Sequence, residues 1–366
     1  MKKLLLSSLV ILSGCTLDSN NEMQNTTDNT ITNIQQNIDK LTELDQIIST
    51  IEDEKTSDLE LKKQLEKLSY MANENSDAML YLASLYEEGD IISKNLALAR
   101  SYYSKSAQKN NTLARYYYAL MLIDGRGGET NHKEAKELLQ TNIKDNHEQS
   151  TYALAYLHFI DKDYQKTINI LSTKKSIDSP SSKYLLGISL LEQNQDINKA
   201  IELLTQSSAE KNIYASHALG KIYAYGKHGQ LKDPKKSFFY LKQAVQDNDP
   251  NALYDLAMLT LENPELIDND YNASIEKLIH ADKYGNKFAS FEIAKLYDQG
   301  NIVKQNYEKA IYWYKKSAEK GNNRAMYNLA SMYANGDGVS VSMSDAEFWL
   351  KQSAQYGNQR AIELLK

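Results

Sequence analysis

The sequence predicts an all-α protein, a solenoid of about eight helix–turn–helix repeats behind an N-terminal export and tether region. Three observations predict it. The 366 residues include only 4 Pro and 15 Gly, so few positions break a helix. Residues 289–324 (ASFEIAKLYDQGNIVKQNYEKAIYWYKKSAEKGNNR) and 325–360 (AMYNLASMYANGDGVSVSMSDAEFWLKQSAQYGNQR) can be written beneath one another without a gap. Each of these segments carries two apolar stripes at helical spacing, separated by a glycine-containing loop.

The N-terminus comes first. Lys2 and Lys3 precede an apolar stretch from Leu4 to Leu12. That suits the core of a signal peptide and is too short to span a bilayer, which takes roughly 20 residues. Leu12-Ser13-Gly14-Cys15 follows and resembles the lipobox of bacterial lipoproteins. The resemblance implies removal of residues 1–14 and acylation at Cys15. Because Thr16 rather than Asp follows the cysteine, it also implies residence in the outer membrane, facing the periplasm or the exterior. Several acyl chains, at roughly 0.8 kcal/mol per buried CH₂, would anchor the chain firmly.

Residues 15–30 are mostly Asn, Thr, Asp and Ser and read as a flexible tether. Ile31, Ile34, Ile38 and Leu41 alternate steps of three and four, with Ile48 and Ile51 later on a similar face. Residues 31–56 therefore read as an amphipathic helix with a partial coiled-coil seam. Ser57-Asp58-Leu59-Glu60 has the form of a capping box, opening a helix within 57–77 whose buried face is Leu61, Leu65 and Leu68. That helix would cap the array.

The repeats occupy 78–366. They begin at Ala78, Ala114, Ser150, Ser182, Ala215, Ala252, Ala289 and Ala325, with a fragment from Ala361. The shared pattern is A-x-(aromatic)-x-(L/I)-A-x-x-Y-x-x-G, a loop, then A-x-x-W-(Y/L)-x-(K/Q)-S-A-x-x-G-N. Positions 1, 5 and 9 lie on one helical face, as Ala325, Leu329 and Tyr333 do. Small residues at positions 1 and 6, such as Ala289 and Ala294, permit close helix approach. Glycines at 300, 336 and 338 end the first helix, and Gly321-Asn322 and Gly357-Asn358 end the second. One such hairpin cannot bury both its faces, so stability must come from stacking. The pattern resembles the Sel1-like repeat family, a relative of the tetratricopeptide repeat. The resemblance implies a right-handed α-solenoid that binds other proteins. The units from Ser150 and Ser182 are shorter, lack the glycine loop, and look more like plain tetratricopeptide units.

Chemistry is hard to find. A net charge of −6 argues against nucleic acid as a partner. The single cysteine excludes a disulfide framework or thiolate metal cluster. None of the six histidines stands in H-E-x-x-H, and none is one helical turn from another. Gly125-Arg126-Gly127-Gly128 falls where the repeat needs its turn and lacks the rest of a phosphate loop. S-x-x-K occurs at Ser106/Lys109, Ser172/Lys175, Ser208/Lys211, Ser274/Lys277 and Ser317/Lys320. A motif that recurs with the repeat is architecture, and its S-D-N and K-T-G companions are missing. No catalytic residue, metal or cofactor is expected.

Binding is the better expectation. Position 3 is aromatic at Tyr116, Tyr152, Tyr184, Tyr254, Phe291 and Tyr327. Positions 7 and 10 extend that face with Leu120, Ile123, Tyr156, Phe159, Ile188 and Leu191. These rings either pack between neighbouring first helices or line a groove, where tyrosine offers apolar area and a polar tip. An apolar groove needs a cover, either a partner helix or the chain's own segment 31–55. The expected partners are other proteins, of the envelope or of a host, alongside the membrane reached through the lipid. The expected role is a scaffold or adaptor, with a structural part in a polysaccharide-export or other envelope secretion complex, or a glycan- or peptide-binding enzyme, as the alternatives.

Overall fold

The structure, a computed structural model, describes residues 42–173, 178–268 and 270–366. The lipobox, the tether and the first part of the 31–56 segment lie outside the described residues. All secondary structure among the described residues is helical. The chain forms two compact units, one ending at Asn131 and one running from His132 to Lys366.

The first unit holds α1 (42–52), α2 (Asp58–Met71), α3 (Ser76–Glu88), α4 (Leu96–Gln108) and α5 (Thr112–Asp124). Leu44, Ile47 and Ile51 of α1 are buried with Leu68 of α2, with Ala72 just after it, and with Met79, Leu82 and Leu85 of α3. The described part of the expected coiled-coil helix is thus built into the unit as its first layer, its apolar stripe spent on α2 and α3. Tyr81 fixes it further by donating its hydroxyl to Glu52. Only half of the expected capping box forms. Ser57 Oγ accepts from the Glu60 amide, while the Glu60 carboxylate accepts from Gln64 instead of reaching back.

The second unit continues with α6 (His132–Lys144), α7 (Glu148–Ile160), α8 (Tyr164–Leu171), α9 (Pro180–Glu192) and α10 (Ile197–Ala209). It goes on through α11 (Ile213–Tyr225), α12 (Pro234–Ala244), α13 (Pro250–Glu262) and α14 (Tyr271–Lys283). It closes with α15 (Ala289–Gln299), α16 (Tyr307–Glu319), α17 (Asn323–Asn335), α18 (Met343–Gln355) and the short α19 (Gln359–Leu364). From α7 onward each odd-numbered helix and its successor up to α18 pack as a hairpin, and each hairpin packs on the next.

The repeat register is confirmed by burial. Position 1 is wholly shielded at Ala78, Ala114, Ser150, Ala215, Ala252, Ala289 and Ala325. Position 6 is a buried alanine or glycine in all eight repeats. At Gly220 an added Cβ would stand 2.6 Å from Leu241 Cγ, so α11 and α12 touch there with no room for a side chain. Most first helices end in a left-handed residue, as at Gly89 and Gly336. In the Gly125–Gly128 loop a Cβ on Gly127 would lie 2.1 Å from the Leu96 carbonyl oxygen. That glycine serves close backbone approach, as the architectural reading expects.

In three repeats the end of the second helix forms a clasp, although the buried Ser317 hydroxyl at the equivalent place has no partner. Ser106, Ser207 and Ser353, near the ends of second helices, donate to the carbonyls of Ser76, Pro180 and Asn323 in the first turn of the preceding helix. The asparagine that follows looks both ways. Asn111 Oδ1 caps α5 by accepting from the Ala114 amide, and its Nδ2 donates to Asp77 of α3 at 2.7 Å. Asn286 and Asn358 repeat the arrangement, each reaching the first turn of the first helix one repeat earlier. The asparagines at 322 and 358 therefore begin the next helix as caps rather than merely ending the last.

Candidate functional site

The sequence singled out one face of the first helices. In the first unit, Tyr116 and Leu120 are half-buried, and Tyr116 meets Tyr117 edge-on at 5.5 Å. Ile123 is buried. In the second unit, Tyr152, Phe159, Tyr184 and Ile188 are half-buried against the core formed by α7 to α11. Tyr156 is 40% exposed and stacks on Tyr152. Leu191 is buried in that core, and Phe291 is buried against Tyr314 at 5.8 Å. Tyr254 and Tyr327 are half-buried. Three of the twelve expected groove residues, Ile123, Leu191 and Phe291, are therefore interior. The others present an edge to solvent.

Rings link successive helices in the second unit. Phe159 of α7 lies 6.3 Å from Tyr184 of α9, and Tyr184 lies 6.0 Å from Tyr214 of α11. Tyr254 of α13 and Phe288, just ahead of α15, are 6.1 Å apart. Tyr214 and Phe288, about 60% exposed, were not among the expected residues. Each precedes a repeat start by one residue and sits three before position 3, hence on the same helical face. That spacing was the available signal.

Electrostatics keep these phenols neutral. Burial raises the hydroxyls of Tyr152 and Tyr184 above the ordinary value. Tyr254 is pushed up to about 12 by burial and by the carboxylates of Glu292 and Asp255. At physiological pH they are hydrogen-bond donors, not phenolates. His217, which replaces the aromatic in the fifth repeat, bonds Asp255 at 2.7 Å.

Most of the remaining polar motifs have structural partners, the buried Ser317 hydroxyl being an exception. His132 bonds Asp161, His147 bonds Ser150, and buried His158 lies 3.4 Å from Asp163. In the S-x-x-K pairs, Ser208 bonds Ser216, Ser274 bonds Thr260, and Ser172 bonds the Ile168 carbonyl. Lys109 faces Glu74, Lys277 donates to the Ala273 carbonyl, and Lys320 faces Asp282. Lys175 lies outside the described residues. Among the described residues no cluster of His, Cys, Asp and Glu could hold a metal. No described helix is long and apolar enough to cross a membrane.

A family model described as "Sel1 repeat" matches residues 76–111, 112–141, 180–212, 213–249, 288–322 and 323–358. The chain belongs to the Sel1 repeat family. The unit from Ser182, expected to be a plain tetratricopeptide hairpin, is thereby a Sel1 repeat with a shortened loop. The matched stretches leave out the units from Ser150 and Ala252, where the structure has the hairpins α7/α8 and α13/α14.

Two curated relatives are similar. A chitin synthase regulator of Saccharomyces cerevisiae is 24% identical over 292 residues, 63% of this chain. A chitin synthase regulatory factor of Schizosaccharomyces pombe is 24% identical over 273 residues, 67% of this chain. The chain spans 42% of the length of each. The crystal structure of c5321, described as a protective antigen of uropathogenic Escherichia coli with an SLR fold, superposes with a TM-score of 0.66 at 20% identity. That match covers 88% of this chain and 70% of the other, and shows the Sel1 solenoid fold.

Proposed function

We propose that this Sel1 repeat protein is a non-enzymatic adaptor, tethered to the bacterial outer membrane through Cys15, which binds partner proteins along the first-helix face of its repeats. Its work lies in envelope assembly or in contact with a host. The observation that carries the binding face is the row of partly exposed rings in the second unit, Tyr156 on Tyr152 and Tyr214 on Tyr184. Aromatic rings with a polar tip are the residues interfaces favour, since they bury much area at small entropic cost. A solenoid most of whose polar motifs bond to its own architecture has surface, rather than a reaction centre, to offer. The curated relatives support this reading, being named as regulators of an enzyme.

The test is a double substitution, Tyr156→Ser with Tyr214→Ser. Both rings are exposed, so the melting temperature should hold while crosslinking-based capture of envelope proteins falls at least about tenfold, or 1.4 kcal/mol. Unchanged capture would sink the assignment of this face. The anchor is tested separately. Cys15→Ser should move the protein from the outer-membrane fraction to the soluble fraction, or leave it unprocessed, since the lipid is its proposed hold on the membrane. Wild-type fractionation of the mutant would overturn the lipoprotein reading.

A second reading has one observation in its favour. Chitin is a polysaccharide, and the relatives are named as regulators of its synthase. A structural part in a polysaccharide-export or secretion complex would use the same face. It would show as loss of surface polysaccharide in the aromatic double mutant.

A further inference from the structure

Near the C-terminal end of the second unit, a cleft of about 590 Å³ opens on the first-helix face, beyond the aromatic row. Tyr327 lies at its apolar side with the buried Phe291 at its floor, Asn323 and Asn328 line it, and Arg324 and Arg360 stand in its wall. No acidic residue lines it. Both arginines are exposed, and neither has an ion-pair partner within the described unit. Two of the chain's five arginines thus stand at one cleft.

The two arginines are one repeat apart, each two residues after a capping asparagine, Asn322 or Asn358. Those caps already satisfy the Arg324, Ala325, Arg360 and Ala361 amides. The positive charge in the cleft is therefore guanidinium charge and not a bare helix end. Both arginines line the same cleft, one from the first turn of α17 and one from that of α19. Carboxylates at i and i+2 of an extended peptide share one face roughly 7 Å apart, within reach of two flexible arginine arms. Each planar guanidinium can grip a carboxylate through two parallel hydrogen bonds.

We propose that this cleft docks an acidic peptide segment of a partner protein, with Arg324 and Arg360 each gripping one carboxylate of a Glu-x-Glu-type pair. The inference rests on the protein-binding reading above and adds the partner's chemistry. A chain of net charge −6 repels polyanions at large, so a local pair of arginines suits a short acidic stretch better than a nucleic acid.

The experiment follows the fluorescence anisotropy of labelled decapeptides titrated with the soluble chain lacking its lipid. The probes are one Glu-x-Glu peptide and its Gln-x-Gln and Lys-x-Lys counterparts. The Glu peptide should bind, weaken as salt rises, and lose about tenfold or more in affinity in R324Q/R360Q, with the variant's melting curve unchanged. The Gln and Lys peptides should fail to bind the wild type. Tyr156→Ser with Tyr214→Ser should leave this affinity intact, which separates failure of the cleft from failure of the aromatic face. Three results would overturn the proposal. They are equal binding of the Glu and Gln peptides, including none by either; equal binding by R324Q/R360Q; and displacement of the Glu peptide by inorganic phosphate or single-stranded DNA at lower concentrations than by unlabelled peptide.

Discussion

Asn111 is the clearest place to test whether the clasp holds repeats together. Its Oδ1 caps α5, and its Nδ2 donates to the Asp77 carboxylate of α3. Asn111→Ala removes both. Loss of a cap costs about 1 kcal/mol, and loss of a hydrogen bond to a charged acceptor about 1.5–3 kcal/mol. The half-exposed site puts the sum near the lower end, about 2.5 kcal/mol. Asn111→Asp separates the two contributions. It keeps the capping oxygen but sets a carboxylate against Asp77 at hydrogen-bonding distance. Two unit charges at about 4 Å repel by up to about 4 kcal/mol near a protein surface.

The facing carboxylates would raise each other's pKa in the folded state. The penalty is then full above the carboxylate range and falls away as pH drops towards about 4. Urea unfolding followed by circular dichroism should show N111A weakened at both pH 7 and pH 4, and N111D weakened only at pH 7. The exchanged pair D77N/N111D should recover most of the loss. It restores one amide donor facing one carboxylate, with the donor now on α3 and the acceptor at the junction. If N111A costs less than about 0.5 kcal/mol, or N111D shows no pH dependence, the clasp does not contribute as the geometry implies.

Asp282 is buried between Lys316 at 2.7 Å and Lys320 at 2.5 Å, joining α14 to α16. Burial alone would raise its carboxyl, but hydrogen bonds from the two lysines outweigh that and hold it below the ordinary value. A lowered folded pKa stabilises above the unfolded value, about 3.9, and that stabilisation is lost as pH falls through the folded one. D282N should therefore cost about 3 kcal/mol at pH 7 and flatten the acid limb of the stability profile. Gly220→Ala should cost roughly 1–3 kcal/mol by forcing its Cβ into Leu241, read as a lower melting temperature. Ala294→Leu, at a wholly buried position 6, should cost as much, and unchanged melting would refute the assigned register.

The repeat register was legible because it rests on size. Only residues as small as Ala289 at position 1 and Gly220 at position 6 fit where helix backbones meet, so those two positions repeat visibly down the chain. The depth of the aromatic face was not legible. Helical periodicity says that Tyr184 and Leu191 are near one side of a helix. It does not say how far the neighbouring helix overlaps them, and the core of α7 to α11 swallows Leu191 while leaving Tyr184 at its edge. Tyr214 and Phe288 escaped notice because they precede the repeat boundary, although i, i+3 spacing puts them with position 3. The serine of S-A-x-x-G-N was visible as a recurrence, but its acceptor lies about 30 residues upstream and no local pattern points to it.

The clasp also bears on how such arrays change length over evolutionary time. The junction from a second helix to the next first helix is three residues at 109–111, 145–147, 210–212, 320–322 and 356–358, and five at 245–249 and 284–288. The link inside a hairpin shrinks to 161–163 and stretches to 226–233. Where the junction is three residues and ends in a capping asparagine, an added residue would move the cap off the helix it opens, whereas the inner loop already differs in length between repeats and absorbs insertions. Duplication or loss of a unit therefore succeeds when the crossover falls at equivalent points within two inner loops, where a small mismatch in length is harmless. The same cut points suit an engineer who wants to splice the arginine-bearing end of this protein onto another array.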